Sequence, residues 1–147
     1  MNAPVVEKLR QLFGERLRLE QGIRQQFCQA PPGIELSPPD AVVTVRSEDE
    51  IIQVVKLCRE YGVALIPSGA RSSLEGQINA PQGGVCVDCS EMNAIVDVNV
   101  TDMTATVQPG VTREQLNSHL RETGLFFSVD PGANASMGGM AATRASG

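Results

Sequence analysis

The chain has 147 residues, and 41% of them are hydrophobic, which is ordinary for a globular protein with a buried core. Its formal net charge of −5 argues against a nucleic-acid partner, because binding to DNA or RNA depends on surplus lysine and arginine. No stretch reaches the roughly 20 apolar residues of a transmembrane helix, and the charged N-terminus lacks the apolar run of a secretion signal. We therefore expect a cytoplasmic protein without a transmembrane segment.

Residues 1–38 are predicted to form an N-terminal helix and a loop that wraps the rest of the chain. Residues 4–18 carry apolar side chains at helical spacing opposite a charged face, and Gly14 weakens or ends this helix. Residues 21–40 contain four prolines, which disfavour a continuous helix or strand. We expect a long irregular loop there.

A strand, a helix and a second strand are predicted next. Residues 41–45 are mostly β-branched, which indicates a short strand. Ser47 and Glu50 have capping-box spacing at the start of a helix that Gly62 ends. Residues 63–66 are short and apolar, so we expect a buried strand that lies parallel to the first through a right-handed crossover.

Three further short strands are predicted at residues 84–88, 94–99 and 104–108, with turn residues between them, and we expect them to form a meander. Pro109 and Gly110 break the last strand.

The C-terminal part begins with a short helix. Thr112 and Gln115 have capping-box spacing, and Gly124 ends the helix. His119 is predicted to lie on the solvated side rather than in a catalytic site. Residues 125–127 hold much of the aromatic content and are expected in the core.

The four cysteines are interpreted as small apolar residues. Cys86 and Cys89 have the spacing of a metal knuckle or a redox pair, but a zinc site needs a second pair or histidines, and His119 is the only histidine. Cys86 lies in a predicted buried strand. We expect no metal site and, without a secretion signal, no disulfide.

Two segments of small residues are the strongest functional signal. The first glycine-rich loop, residues 66–77, follows a predicted strand and can bring backbone N–H groups and short hydroxyls around an anion such as phosphate. A surface turn is the alternative interpretation of this loop alone. The second glycine-rich segment, residues 130–147, suggests that the two form opposite walls of one elongated site.

Other nucleotide-binding and hydrolytic sites are disfavoured. Neither segment has the G-x-G-x-x-G spacing of a dinucleotide-binding Rossmann fold or the lysine of a Walker loop. The sequence contains no nucleophile elbow with a serine, histidine and acid in order.

Residues 67–76, 108–111 and 131–147 together resemble the flavin-binding domain of FAD-linked oxidases of the vanillyl-alcohol oxidase type, in the branch that contains D-lactate dehydrogenase and the flavoprotein component of glycolate oxidase. The resemblance covers roughly residue 39 to the last residue. It implies an α+β fold, a PCMH-type FAD-binding domain with its N-terminal α/β subdomain and the start of the second. Residues 39–147 are then a partial FAD-binding domain.

The resemblance also implies cofactor contacts. In the family, the first loop holds the FAD pyrophosphate through main-chain N–H groups, and the second segment lies along the flavin and ribityl part, where larger side chains would displace the cofactor. The residues implied to bind FAD are Ser68, Gly69, Ala70, Arg71, Ser72, Ser73, Gly76, Gln77, Pro109, Gly110, Pro131, Gly132, Ser136, Gly138, Gly139, Ala142 and Ala145.

The chain departs from the family pattern at three points. Arg71 stands where the family mostly has glycine, and it is strained by roughly a kcal/mol or more if the position needs a positive φ. It would also place a positive charge beside the pyrophosphate. Some relatives tether flavin through a histidine at the position of Ser72, so we predict non-covalent FAD. The sequence stops where relatives continue into a substrate domain with catalytic histidines, so we expect a truncated fragment without catalytic residues of its own.

The implied function of the parent protein is FAD-dependent oxidation of a 2-hydroxy acid such as D-lactate or glycolate, with electrons passed on to an acceptor. The alternative is a non-catalytic flavin-domain fragment that serves as a structural or interaction module. We also expect open sheet edges to favour self-association into a homo-oligomer.

Overall fold

A computed structural model describes residues 3–146. Met1 and Asn2 of the predicted N-terminal segment, and Gly147 of the second glycine-rich segment, lie outside the described residues. In chain order the elements are α1 (Ala3–Phe13), β1 (Leu17–Arg18), α2 (Gln21–Gln26), β2 (Ala41–Thr44), α3 (Glu48–Tyr61), β3 (Leu65–Ser68), β4 (Val85–Asp88), β5 (Ile95–Asn99), β6 (Thr104–Val107), α4 (Arg113–Leu120) and α5 (Met137–Thr143).

The main sheet has four strands in the order β1-β2-β4-β3. The strands β2 and β3 both run parallel to β4, with Val42 and Ile66 aligned on either side of Cys86, while β1 is antiparallel at the edge. The predicted parallel relation of β2 and β3 is therefore confirmed, although β4 lies between them.

The predicted meander is wrong. All four residues of β4 are buried, as in the centre of a parallel sheet that is covered on both faces. Of the three predicted meander strands, β5 and β6 pair with each other, antiparallel, in a separate two-stranded sheet whose residues are mostly exposed. The apolar run of β4 favours the covered sheet, whereas β5 and β6 alternate in polarity and remain together as a hairpin.

The helices α1 and α3 cover one face of the main sheet. The fully buried side chains of Val5 and Leu9 from α1 meet Val43 of β2 and Val54 of α3 in the largest core cluster. On the other face Phe27 packs against the sheet. This arrangement covers both faces of the short parallel strands.

The N-terminal predictions hold in part. Gly14 ends α1 with a φ of 55°, so the chain turns and Leu17 enters β1 instead of continuing the helix. Residues 21–40 are not wholly irregular, because α2 forms before the first proline, Pro31. Only the proline-containing remainder lacks helix and strand.

The predicted caps are confirmed. The Ser47 hydroxyl accepts a hydrogen bond from the Glu50 N–H at 3.3 Å, and Gly62 ends α3 with a φ of 63°. The Thr112 hydroxyl likewise accepts from the Gln115 N–H at 3.3 Å, and Gly124 follows the last helical turn in the left-handed region.

The predicted core at residues 125–127 is wrong for Phe126, whose side chain is 73% exposed. The backbone after Gly124 is not helical, and burial alternates along it. Phe127 therefore packs beside α4 while Phe126 faces the opposite side. None of the helices within residues 3–146 is long and apolar enough to cross a bilayer.

Candidate cofactor-binding site

A cavity of about 740 Å³ lies where β3 and β4 end, with Ser68 on one strand end and Cys89 just beyond the other. Ligands of open α/β sheets bind at this carboxyl edge, and the volume falls within the range of pockets that hold small molecules, about 300–1,000 Å³. The predicted cofactor-binding residues that line the cavity are Ser68, Gly69, Ala70, Arg71, Ser72, Ser73, Gln77, Pro109, Pro131, Ser136, Gly138, Gly139, Ala142 and Ala145.

The two glycine-rich segments meet at Ser136. Its hydroxyl accepts a hydrogen bond from the Ala70 N–H at 3.2 Å. A Cβ built on Gly69 would overlap this hydroxyl, and one on Gly139 would lie 2.9 Å from it. Ser136 is only 2% exposed. Its hydrogen bond therefore joins the first loop to the second segment in the interior of the protein.

The backbone at residues 109–113 holds the second segment in place. The Gly138 N–H donates to the Pro109 carbonyl at 2.9 Å, and the Met137 N–H donates to the Val111 carbonyl at 2.7 Å. A Cβ on Gly138 would come within 2.6 Å of the Pro109 Cβ. Glycine at this position therefore permits the close backbone pairing that brings α5 to the cavity.

Three predicted residues lie outside the lining. Gly76 has a φ of 83° and packs against Pro31, with a built Cβ 3.1 Å from the proline Cδ. Gly110 faces the backbone carbonyls of the turn after β4, including that of Met92. Gly132 lies in an exposed turn with a φ of 79°. These glycines shape the chain around the cavity.

The lining suits an anionic ligand. Arg71 and Arg144 both contribute to it, against the single carboxylate of Glu75 among the described lining residues, although the whole chain carries a net charge of −5. The Ser68 hydroxyl oxygen is buried without a hydrogen-bond partner of good geometry, and the Cys86 thiol beside it is a weak one. Small side chains, backbone N–H groups and positive charge together fit a dinucleotide diphosphate.

Arg144 was not anticipated from the sequence. It follows α5 with a φ of 53°, and Arg71 has a φ of 58°, which confirms that the first loop needs a positive φ at that position. Glycine usually occupies the left-handed residue after a helix, so an arginine in a run of small residues gives no signal of this conformation. Both arginines place a long cationic side chain where the backbone turns beside the cavity.

The thiols near the cavity are unsuited to chemistry. Burial, with the Asp88 carboxylate as a second cause, raises the pKa of Cys86 to about 12, and burial also raises the pKa of Cys89. Both thiols therefore stay protonated at neutral pH and are poor nucleophiles or metal ligands. Within residues 3–146, no group of three or more histidine, cysteine, aspartate or glutamate residues is arranged to hold a metal.

Comparison with known proteins gives a match to the FAD binding domain family over residues 39–147. The chain is 45% identical to "Probable D-lactate dehydrogenase, mitochondrial" of Danio rerio over 97% of its own length and 29% of the relative. It is 50% identical to "D-lactate dehydrogenase [cytochrome], mitochondrial" of Arabidopsis thaliana over 74% of its length and 19% of the relative. The chain thus spans less than a third of these relatives.

Solved structures show the same architecture. The fold superposes on alkyldihydroxyacetonephosphate synthase with a TM-score of 0.87 and 26% identity, over 100% of this chain and 30% of that chain. The α+β PCMH-type FAD-binding fold implied by the sequence resemblance is therefore confirmed.

The prediction of a cytoplasmic protein is wrong, because the zebrafish and Arabidopsis relatives are both named as mitochondrial. This expectation rests on the absence of a long apolar run. Such a run marks secretion signals and membrane helices, whereas mitochondrial transit peptides are amphipathic and rich in arginine and serine. Hydropathy alone cannot register that kind of signal.

The match to residues 39–147 covers most of the chain, and the fold, the two glycine-rich segments and the cationic cavity agree with it. The chain belongs to the FAD binding domain family, as the FAD-binding region of a protein of the vanillyl-alcohol oxidase type, and its cofactor is FAD.

Proposed function

We propose that the protein containing this chain is an FAD-dependent oxidoreductase that oxidises a 2-hydroxy acid such as D-lactate or glycolate, and that this chain supplies its FAD-binding part. The observation that carries the proposal is a cavity for an anionic dinucleotide in a chain that is 50% identical over 109 residues to a D-lactate dehydrogenase. The glycolate oxidase component GlcD of Bacillus subtilis, at 36% identity over 95 residues, supports the same substrate class.

In this proposal the first loop and the second segment grip the diphosphate and flavin part of the cofactor. Backbone N–H groups of the loop and the Ser68 hydroxyl donate toward it, while Arg71 and Arg144 balance its negative charge. Bound FAD would supply a two-electron acceptor for the hydride equivalent on the carbon that bears the substrate hydroxyl, and the hydroxyl proton would be released as the 2-oxo acid forms. The substrate and the electron acceptor are partners of the whole protein.

The cofactor is proposed to be non-covalent. The lining carries no histidine among the described residues, and the sequence resemblance places Ser72 where some relatives have the tethering histidine. A serine hydroxyl cannot form that bond. Acid precipitation of the purified holoprotein should therefore leave the yellow flavin in the supernatant, and flavin that stays with the pellet would contradict the proposal.

The substrate class is tested on the whole protein. We expect flavin absorbance in the purified protein and bleaching under anaerobic conditions by D-lactate, glycolate or D-2-hydroxyglutarate. The last is included because the chain is also 35% identical over 111 residues to the D-2-hydroxyglutarate dehydrogenase of Stutzerimonas stutzeri. L-Lactate is the matched control for stereochemistry. A yellow protein that none of the D-hydroxy acids or glycolate bleaches would refute the substrate class but leave the cofactor assignment standing.

A non-catalytic flavin-domain module is the second candidate, favoured by Arg71 at a positive φ in the loop proposed to hold the diphosphate. It predicts a folded protein that purifies without flavin and does not take up added FAD. Self-association through open sheet edges also stays a proposal, and a single monomeric peak in size-exclusion chromatography would exclude it.

A further inference from the structure

The segment of residues 27–37 lies before the family match and contacts the first glycine-rich loop at its backbone. The Gln29 amide, oriented with its nitrogen toward the loop, donates to the Arg71 carbonyl at 3.1 Å and to the Ser73 carbonyl at 2.7 Å. One side chain therefore holds two carbonyls on either side of Ser72. Because both carbonyls are held by hydrogen bonds, the peptide groups between them can adopt fewer orientations.

Phe27 holds the side chain of the same loop. The guanidinium carbon of Arg71 lies 4.3 Å from the centroid of the Phe27 ring, within the distance of a cation–π contact. Phe27 is only 8% exposed and packs against Val42 and Cys86 of the main sheet. Because the ring is fixed by the sheet, it is a rigid platform for the arginine.

The residues that directly follow the loop are bound to the same segment. The Asn79 amide oxygen accepts from the Ser37 N–H at 2.7 Å, and the Ala80 N–H donates to the Ser37 carbonyl at 2.8 Å. Gly76 packs closely against Pro31 between these points. The segment therefore contacts the loop from Arg71 to Gly76 and the residues that directly follow it.

The charge of Arg71 is available to a ligand. None of the ion pairs within residues 3–146 involves Arg71. The Glu75 carboxylate, which also lines the cavity, accepts a hydrogen bond from the Gln77 amide at 3.1 Å. An exposed arginine normally samples many rotamers, and a ligand that binds it must restrict them. A guanidinium already stacked on a fixed ring loses less freedom when an anion arrives.

We propose that Phe27 and Gln29 are positioning residues for the cofactor: Phe27 orders the Arg71 guanidinium beside the cavity, and Gln29 orders the loop backbone. The proposal builds on the proposed FAD site and assigns part of that site to residues outside the family match. Neither residue is placed in contact with FAD, and both act through the first loop.

A double-mutant cycle on the whole protein tests the role of Phe27, with FAD titrated into the apoprotein and followed by flavin fluorescence. We expect F27L and R71A each to raise the dissociation constant of FAD about 5- to 10-fold, the size of one well-placed cationic contact. The double variant F27L/R71A should bind no more weakly than R71A alone, because Phe27 acts through Arg71. F27Y keeps the ring and should bind within about twofold of the wild type.

A merely structural role for Phe27 predicts the opposite pattern, in which F27L weakens binding by the same factor with and without Arg71. That additive result, or unchanged binding in F27L, would overturn the assignment of Phe27. If the wild-type apoprotein does not bind FAD, the proposed function fails and this inference fails with it. An additive cycle in a protein that binds FAD refutes the inference alone.

Gln29 provides an independent test that leaves the core intact. In the apoprotein, Q29A should increase amide hydrogen exchange within residues 70–77. It should also weaken FAD binding about fivefold, at the low end of the net contribution of the two hydrogen bonds that are lost. Q26A, at an exposed glutamine on α2, is the matched control and should change neither. Equal exchange in Q29A and Q26A would overturn the assignment of Gln29. This comparison tests the proposal even in the event that F27L does not fold.

Discussion

Ser136 is the side chain on which the two halves of the cavity wall depend. Its hydroxyl fills the space that side chains at Gly69 and Gly139 would occupy, and it accepts the Ala70 N–H. A hydroxyl in this position satisfies a backbone donor and also sets the spacing between the walls. Packing against Ser136 therefore explains why both positions are glycine.

We predict that G69A lowers the free energy of unfolding by about 1–3 kcal/mol, because the new methyl overlaps the Ser136 hydroxyl in a closely packed wall. Urea unfolding followed by circular dichroism measures the change. In an S136A background the overlap is relieved, so the cost of adding G69A should shrink. An equal cost in both backgrounds would show that the strain at Gly69 has another source.

Met103 provides a test of backbone strain away from the cavity. It has a φ of 54° in the turn between β5 and β6, and its side chain is 74% exposed and so contributes little packing. We expect M103G to raise the free energy of unfolding by about 0.5–1 kcal/mol, because glycine adopts this φ without strain. M103A removes the side chain but keeps the strain, so it should not stabilise the protein. Thermal unfolding of both variants and the wild type measures the difference.

At the scale of elements, the start of α3 is stabilised by a cap from a neighbouring residue and by an ion pair with a residue that is distant in the sequence. The Ser47 cap follows from the sequence. The Glu50 carboxylate, however, accepts hydrogen bonds from the two terminal guanidinium nitrogens of Arg16, Nη1 and Nη2, and from the Arg46 N–H, each at 2.7 Å. Its side chain is 23% exposed. The capping-box pattern therefore identified the residue, whereas its partner from another element depends on tertiary packing.

The Glu50 contacts predict a pH dependence of stability. The hydrogen bonds from Arg16, followed by the smaller backbone bond, lower the pKa of Glu50. A lowered folded-state pKa contributes stability above the unfolded value of about 4.3, and this stability is lost as the pH falls through the folded pKa. E50Q should be about 1–2 kcal/mol less stable than the wild type at pH 7, and the difference should shrink below about pH 4.3.

Urea unfolding of both proteins from pH 7 to pH 3 checks this prediction. E48Q, at an exposed position in the same helical turn, is the control for a general loss of negative charge near the helix start. A difference between wild type and E50Q that persists unchanged at pH 3 would contradict the assignment of stability to the ionised carboxylate.

Local patterns predict most helices and strands but only part of their arrangement in the sheets. Caps and glycine ends at Ser47, Gly62 and Thr112 act within a few residues, so the sequence reveals them directly. The placement of β4 between β2 and β3 depends on contacts between residues more than 15 positions apart. Several apolar strands could pair in alternative orders. The order that forms depends on which arrangement lets the helices and loops cover both faces of the sheet.

At the scale of the whole molecule, the shared cavity could be anticipated because two segments of small residues in one chain suggest two walls. The contribution of the N-terminal part could not. Phe27 and Gln29 lie in a stretch that shows no regular pattern, and their contacts with Arg71 arise only from the fold. The sequence predicts residues 1–38 and residues 39–147 as separate regions. The contacts between them raise the question of whether residues 39–147 fold alone.

The packing of the N-terminal side chains argues against independent folding of residues 39–147. Val5, Leu9, Phe13 and Leu17 from the N-terminal region are at most 8% exposed and pack against β2, β4 and α3. Burying each such side chain contributes about 1.5–3 kcal/mol, so their loss removes about 6–12 kcal/mol. This is comparable to the whole stability of a typical domain, about 5–15 kcal/mol.

We therefore predict that residues 39–147 alone show no cooperative thermal unfolding by circular dichroism, because one face of the main sheet loses its cover, whereas the 147-residue chain does unfold cooperatively. Within the whole chain, L9A should cost about 2–5 kcal/mol, while L12A, on the 48%-exposed Leu12 of the same helix, should cost less than about 1 kcal/mol. A cooperative transition for residues 39–147 would show that they form an independent domain and that α1 is an accessory layer. Equal costs for L9A and L12A would show that helix propensity, rather than the covered face of the sheet, accounts for the contribution of α1.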